Sequence, residues 1–284
     1  MEKRISRAKK VLAGSKRMFE LKDDGDFSLR LSAVQRALYL LFNEGYHGAS
    51  ARSAVRIDLC HDAMRLASML REHPKASTPA TYALCALMCL NAARLPARLD
   101  SAGDLISLFE QDRSQWDQDL RCEGLRLLEL AATGSELTGY HVEAAIAAVH
   151  AEASSADQTD WKAIVSLYDT LLSIRPSPVV ALNRAIAVAQ HEGAERGLQE
   201  IHAIADHDRL DAYPFYSAAL GELQLRSGRP EIARQHFRTA LALARNPLER
   251  RFLERRLRST EGEAVISETD SAQPAGDRGE AKRQ

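Results

Sequence analysis

Aromatic residues make up only 6% of the 284 residues, too few for a sheet-rich core of the usual kind. No apolar run is long enough to cross a bilayer, and the amino-terminal MEKRISRAKK lacks the apolar stretch of a secretion signal, so a cytoplasmic location and no membrane partner are expected. An excess of one charge is missing too. The 38 Lys and Arg nearly cancel the 39 Asp and Glu, which excludes a whole-molecule field that would pull the protein onto nucleic acid. Only four cysteines occur: Cys85 and Cys89 are four apart on one helical face, and Cys60 and Cys122 stand alone. That spacing gives neither a disulfide framework nor a paired zinc motif, although His61 follows Cys60, so the thiols are read as small buried hydrophobes. The chain contains no phosphate-binding glycine loop, no HExxH and no GxSxG. No enzyme activity, cofactor, metal or small-molecule substrate is therefore expected.

What is abundant is Ala and Leu, within a hydrophobic fraction of 45%, and these favour closely packed helices. Residues 1–13 read as a short basic helix and 14–27 as a polar linker. From Ser28 the apolar residues Leu31, Val34, Leu38, Leu41 and Phe42 recur at helical spacing until NEGYHG, where Gly45 and Gly48 are read as turn formers. A second helix carries Val55, Leu59, Ala63, Leu66 and Leu70, and a third opens on Ser77-Thr78-Pro79, a cap followed by proline. The segment RLPARLDSAGDLISLFEQDRSQWD is a long connection, of the kind that is often functional or packed as special structure. A helix near 115–132 closes an amino-terminal helical part over 28–134, and helices resume near 139–153 and from Asp160 onward.

The region 135–258 contains a repeat. Tyr168, Ile201 and Phe237 hold comparable places in helices spaced by about 33–36 residues, as do Ile164, Gly197 and Ala233. This period belongs to tetratricopeptide-type helix pairs, best seen in YPFYSAALGELQLRSGRPEIARQHFRTALALARNP. The expected fold is all-α, with antiparallel helix pairs stacked as a tetratricopeptide-like right-handed solenoid and no sheet. NPLERRFLERRL closes the stack, and Arg250, Arg251, Arg255 and Arg256 within it, with Arg258 just after, are read as a solvated outer face. The composition of 259–284 predicts a disordered tail.

The ordered series RISRAKKVL, LYLLFNEGYHGAS, VRIDLCHDAMRLASML, PARLDSAGDLISLFEQDRSQWD, GYHVEAAIAAVHA, DWKAIVSLYDTLLSIRPSPVVALNRAIAVA and NPLERRFLERRL resembles the extracytoplasmic-function RNA polymerase sigma factors that carry a large tetratricopeptide-like carboxy-terminal extension. The resemblance spans residues 3–258. It implies a regulatory or scaffolding role in transcription initiation, exerted within the factor or through a regulatory protein partner. Residues 3–12 resemble only the last turns of the promoter-recognition helix, which makes Arg4, Arg7, Lys9 and Lys10 the remnant of a phosphate-contacting surface. Both promoter-reading domains are absent from residues 1–284, so RNA polymerase core and promoter DNA are partners only where those domains are supplied. CLNAARL departs from the family, in which a more polar, His-containing stretch precedes PAR.

LYLLFNEGY and GDLISLFEQDRSQWD are expected to pack together, with Asn43, Glu44, Tyr46, Asp112, Arg113 and Trp116 forming a protein-interaction or interdomain surface. Acids in these motifs, Glu44, Asp104, Glu110 and Asp112, are read as caps and ion pairs that fix loops. Trp116 and Trp161 are read as core anchors. The alternative is a free-standing adaptor that binds an extended peptide in the groove of the repeats through Asn183, Arg184 and Tyr216.

Overall fold

The computed structural model describes residues 24–47 and 55–270, with side chains over 27–47 and 55–260. Proline sets much of the rhythm. Pro79, Pro178, Pro214, Pro230 and Pro247 each open a helix, where the missing N–H costs nothing and the fixed φ suits the first turn. Side-chain caps act at these and at other starts. Thr78 accepts from the amide of Thr81, Asp117 from that of Leu120 and Asp160 from that of Ala163, while Thr138 and His141 form a reciprocal capping box.

Eleven α-helices follow among the described residues: α1 (Asp24–His47), α2 (Ile57–Glu72), α3 (Pro79–Ala92), α4 (Gln118–Ala131), α5 (Gly139–Glu152), α6 (Trp161–Ile174), α7 (Pro178–Glu192), α8 (Ala194–His202), α9 (Pro214–Arg226), α10 (Pro230–Leu243) and α11 (Pro247–Asp270). Each packs on its chain neighbour, and α4 and α5 in addition both rest on α3. The described residues are all-α, antiparallel helix pairs stacked in solenoid fashion. Among the described residues the one extended pairing is an isolated antiparallel bridge between Leu99 and Leu105.

The helix α3 is apolar on every side, and eleven of its fourteen residues are buried between α1, α2, α4 and α5. Its alanines at 80, 83, 86 and 92 let those neighbours approach closely. Cys60, Cys85 and Cys89 belong to the same core, where burial pushes their thiols up to about 11, 11 and 12. Cys122 is exposed.

Gly45 serves packing rather than a turn. It lies inside α1, and a Cβ there would meet Arg56 O at 2.7 Å and Cys60 N at 2.9 Å, so α1 and α2 touch backbone to backbone. Gly48 lies outside the described residues, as do Arg4, Arg7, Lys9, Lys10 and the whole of 1–13. α1 begins at Asp24, inside the stretch read as linker, and α11 continues to Asp270, past Ser259, where the tail was expected to begin.

In the second half the pairs α5/α6, α7/α8 and α9/α10 carry the repeat. Ile164, Gly197 and Ala233 sit at equivalent crossings on α6, α8 and α10. A Cβ on Gly197 would meet Ala189 Cβ at 2.3 Å, and one on Gly221 would meet the Phe237 ring at 2.9 Å. Phe237 is fully buried among Ala233, Ala240, Ala244 and Leu253.

Two stability predictions follow from these crossings. Phe237→Ala is expected to cost about 3–5 kcal/mol in urea unfolding, and a loss under about 1 kcal/mol would contradict the packing. Gly197→Ala is expected to destabilise although alanine is the better helix former by about 1 kcal/mol, because the clash with Ala189 outweighs propensity.

Candidate functional site

The inner faces of α7 and α9, the start of α6, and parts of α10 and α11 enclose a cavity of about 740 Å³. Its wall includes Asn183, Ile186 and Gln190 on α7, Phe215, Ala219, Glu222 and Arg226 on α9, and Phe252 and Arg256 on α11. Across from them lie Trp161, His47 at the end of α1, and Ser107, Phe109 and Glu110 from the connection between α3 and α4. The size suits a small ligand or a short peptide segment, for which pockets of roughly 300–1,000 Å³ are usual.

That connection is ordered by its own polar groups. Residues 98–106 form a small hairpin in which Asp100 Oδ1 accepts from the amides of Ala102 and Asp104, and Gly103 takes a φ of 79°. The amide of Ile106 donates back to Arg98 O. The hairpin then meets the last helix. Arg251 pairs with Asp104, Arg255 reaches Asp100 at 3.5 Å and donates to Leu105 O at 2.6 Å, and Arg256 pairs with Glu222 and approaches Glu110 at 3.9 Å. Three of the five arginines expected on a solvated outer face, Arg251, Arg255 and Arg256, thus join the end of the solenoid to its middle. The acids Asp104 and Glu110 serve as loop-fixing ion partners, and Asp112 caps the turn Arg113–Gln115 through the amide and hydroxyl of Ser114.

Beside the cavity, cations and aromatic rings alternate. The Arg98 guanidinium lies 4.0 Å from the centre of the Tyr46 ring, Arg94 lies 6.0 Å from Tyr46 and 5.5 Å from Trp116, and Arg113 lies 5.2 Å from Trp116. Arg113 also donates to the carbonyls of His150 and Ala153 and to Thr159 Oγ1, closing the carboxy-terminal end of α5. Burial lowers the affinity of Arg94 and Arg113 for their protons. Burial, with Arg98 and Arg94 nearby, brings His47 down to about 4, and burial, with Arg94 and Arg113, brings His150 down to about 3.

Of the six residues expected to make one surface, Tyr46, Arg113 and Trp116 do converge, bridged by Arg94. They are only 3%, 7% and 3% exposed, so these three side chains lie inside the fold. Stacked aromatic and guanidinium planes bury better than they solvate. Glu44 and Asp112 are exposed and Asn43 half-buried. Among the expected groove residues, Asn183 lines the cavity. Arg184 instead ties α6 to α8 through Asp169 and Glu200, and Tyr216 packs into the core beside Leu210 and Leu220. Trp161 is a cavity residue as well as an anchor, stacked on Phe109 at 5.7 Å. Arg94 and Arg98 were not anticipated, although the sequence marks them: residues 73–99 contain three cations and no carboxylate.

Residues 30–132 match the model of a family of unknown function (DUF6596). The chain is 39% identical over 258 residues to an uncharacterized protein of Rhizobium meliloti (strain 1021). That alignment takes in 90% of this chain and 60% of the relative, so the chain spans less than two thirds of the relative's length. No solved structure matches the chain. No helix among the described residues is long and apolar enough to cross a membrane.

Two measurements test the site's construction. Arg255→Glu is expected to speed amide hydrogen exchange at Asp104 and Ile106 while leaving α3 unchanged; equal protection in both proteins would show that the hairpin stands without α11. His47 and His150 have lowered values in the folded state, so the unfolded chain binds more protons below about pH 6.5. Stability should therefore fall as pH drops from 7 to 5, measured as the urea midpoint, and His150→Gln should flatten part of that slope.

Proposed function

We propose that this chain is the regulatory, scaffolding part of an extracytoplasmic-function type sigma factor, acting in transcription initiation when joined to promoter-binding domains. The observation that carries the reading is the ordered set of motifs. LYLLFNEGYHGAS, VRIDLCHDAMRLASML and PARLDSAGDLISLFEQDRSQWD all fall within the stretch matched by the family model. The relative's greater length leaves room for further domains. Leu29 and Leu40, eleven residues apart on one side of α1, stand exposed, Leu40 by 52%, and offer apolar contacts to such domains.

The test is reconstitution with bacterial RNA polymerase core and the full-length Rhizobium meliloti relative. Stable association with core in gel filtration, and transcription altered several-fold when the segment homologous to this chain is deleted, are the expected results. A relative that neither binds core nor directs it to any promoter would overturn the proposal.

The cavity favours a second reading, a free-standing adaptor that binds an extended peptide, because Asn183 and the exposed Phe215 line its concave wall. Peptide-array binding to the 284-residue chain without polymerase would support it.

A further inference from the structure

A second cavity, of about 210 Å³, lies between α2, α3 and α4, and sulfur dominates its wall. Cys85, Met88 and Cys89 stand at i, i+3 and i+4 on α3 and so share one face of that helix. Met64 faces them from α2. Of the three methionines among the described residues, two border this one space together with two of the four cysteines; the third, Met69, is exposed. Arg71 of α2 and Glu123 of α4 line the cavity as well and pair with each other at 3.0 Å.

Buried cysteine and methionine ordinarily act as small hydrophobes and as fillers of irregular gaps. That role explains their burial here but not the space they leave, since a filler closes a gap rather than lining it. Cys85 and Cys89 are buried, whereas Met64 and Ser68 on the same wall are half-buried, which gives the space an outlet along α2. Four sulfur atoms around one opening are a donor set for a soft cation, because thiolate and thioether ligands select copper(I) over harder ions. Among the described residues no three His, Cys, Asp or Glu side chains group to hold a metal ion, so an ion at this place relies on two thiolates and thioether sulfur.

We propose that this cavity binds one copper(I) ion through the sulfurs of Cys85 and Cys89, with the thioethers of Met64 and Met88 as weaker donors. Positions four apart on a helix hold their Cβ atoms about 5–6 Å apart, a span that two metal–thiolate bonds of roughly 2.3 Å bridge. On binding, two S–H bonds break, two Cu–S bonds form and two protons leave to water. Copper keeps its oxidation state, so neither an oxidant nor a reductant is required. The two thiolates and the ion together carry one negative charge. The same corner supplies its complement: Glu123 is shared by Arg71 and Arg126, two guanidiniums to one carboxylate. The site is independent of the transcription reading, and loss of either leaves the other intact.

The experiment is anaerobic titration of the reduced 284-residue chain with copper(I) in competition with the chromophoric chelator bicinchoninate. The unaltered protein should withdraw one equivalent of copper(I) from the chelator, and zinc(II) should not compete for the site. Cys122→Ser, which removes an exposed thiol on α4, should leave binding unchanged. The double variant Cys85→Ala/Cys89→Ala, its fold checked by circular dichroism, should lose the site. Met64→Leu, nearly constant in volume, should weaken binding tenfold or more. If the double variant does not fold, alkylation of the unaltered protein takes its place: copper(I) should slow modification of Cys85 and Cys89 tenfold or more, read by peptide mass spectrometry, and leave Cys122 unaffected. No withdrawal of copper(I), competition by zinc(II), loss of binding in Cys122→Ser, undiminished binding by the folded double variant or by Met64→Leu, or unslowed alkylation of Cys85 and Cys89 would each overturn the proposal.

Discussion

Close approach of a bare glycine backbone to the neighbouring helix is the constraint on which the rest of this structure depends. At Gly45 against Arg56 and Cys60, Gly124 against Leu90, Gly197 against Ala189 and Gly221 against Phe237, helices cross with no room for a methyl group. Each crossing fixes the angle at which the next pair leaves, and the sum of those angles curves the stack. The curvature brings α11 back to the hairpin at 98–106, and the cavity is the space left inside. A stack opened at these crossings would place Arg255 far from Leu105 and leave Phe109 without Trp161.

The fold was largely legible in the sequence because its signals are local. Helical periodicity, proline at first turns, Ser, Thr and Asp caps, and the recurrence through Gly197 and Ala233 all lie within a few residues of what they determine. Gly45 shows the limit of such reading. A glycine near a helix end suggests a turn, yet here the residue is helical and is required by Cys60, which only the tertiary crossing reveals. The two ends assigned to 14–27 and 259–284 shifted for a related reason: composition marks where apolar burial stops, and a polar helix can run beyond that point.

The site was less legible. Sequence reasoning brought Tyr46 and Trp116 together correctly but placed them on a surface, because polar and aromatic residues near helix ends look like contacts for something else. Tyr46 is buried in the core with Phe42 and Cys60 and Trp116 with Leu90 and Ala148, and Arg94, 48 residues after Tyr46 and 22 before Trp116, lies near both rings. The arginines of α11 were read as solvated because Glu249 and Glu254 flank them, whereas three of them reach acids or a carbonyl some 150 residues earlier. Pairings over that distance leave no periodic trace. The nearest available sign was the run from 73 to 99 with no carboxylate at all.

Most helical solenoids are open at both ends and tolerate gain or loss of a unit, because each repeat touches only its neighbours. The join between α11 and the hairpin removes that freedom. Inserting one more helix pair would rotate and translate α11 past Asp100 and Leu105, and deleting one would stop it short. The number of repeats in this architecture is therefore fixed by closure, as the number of strands is fixed in a barrel. Variation in length has to fall in loops away from the seam or beyond the last helix.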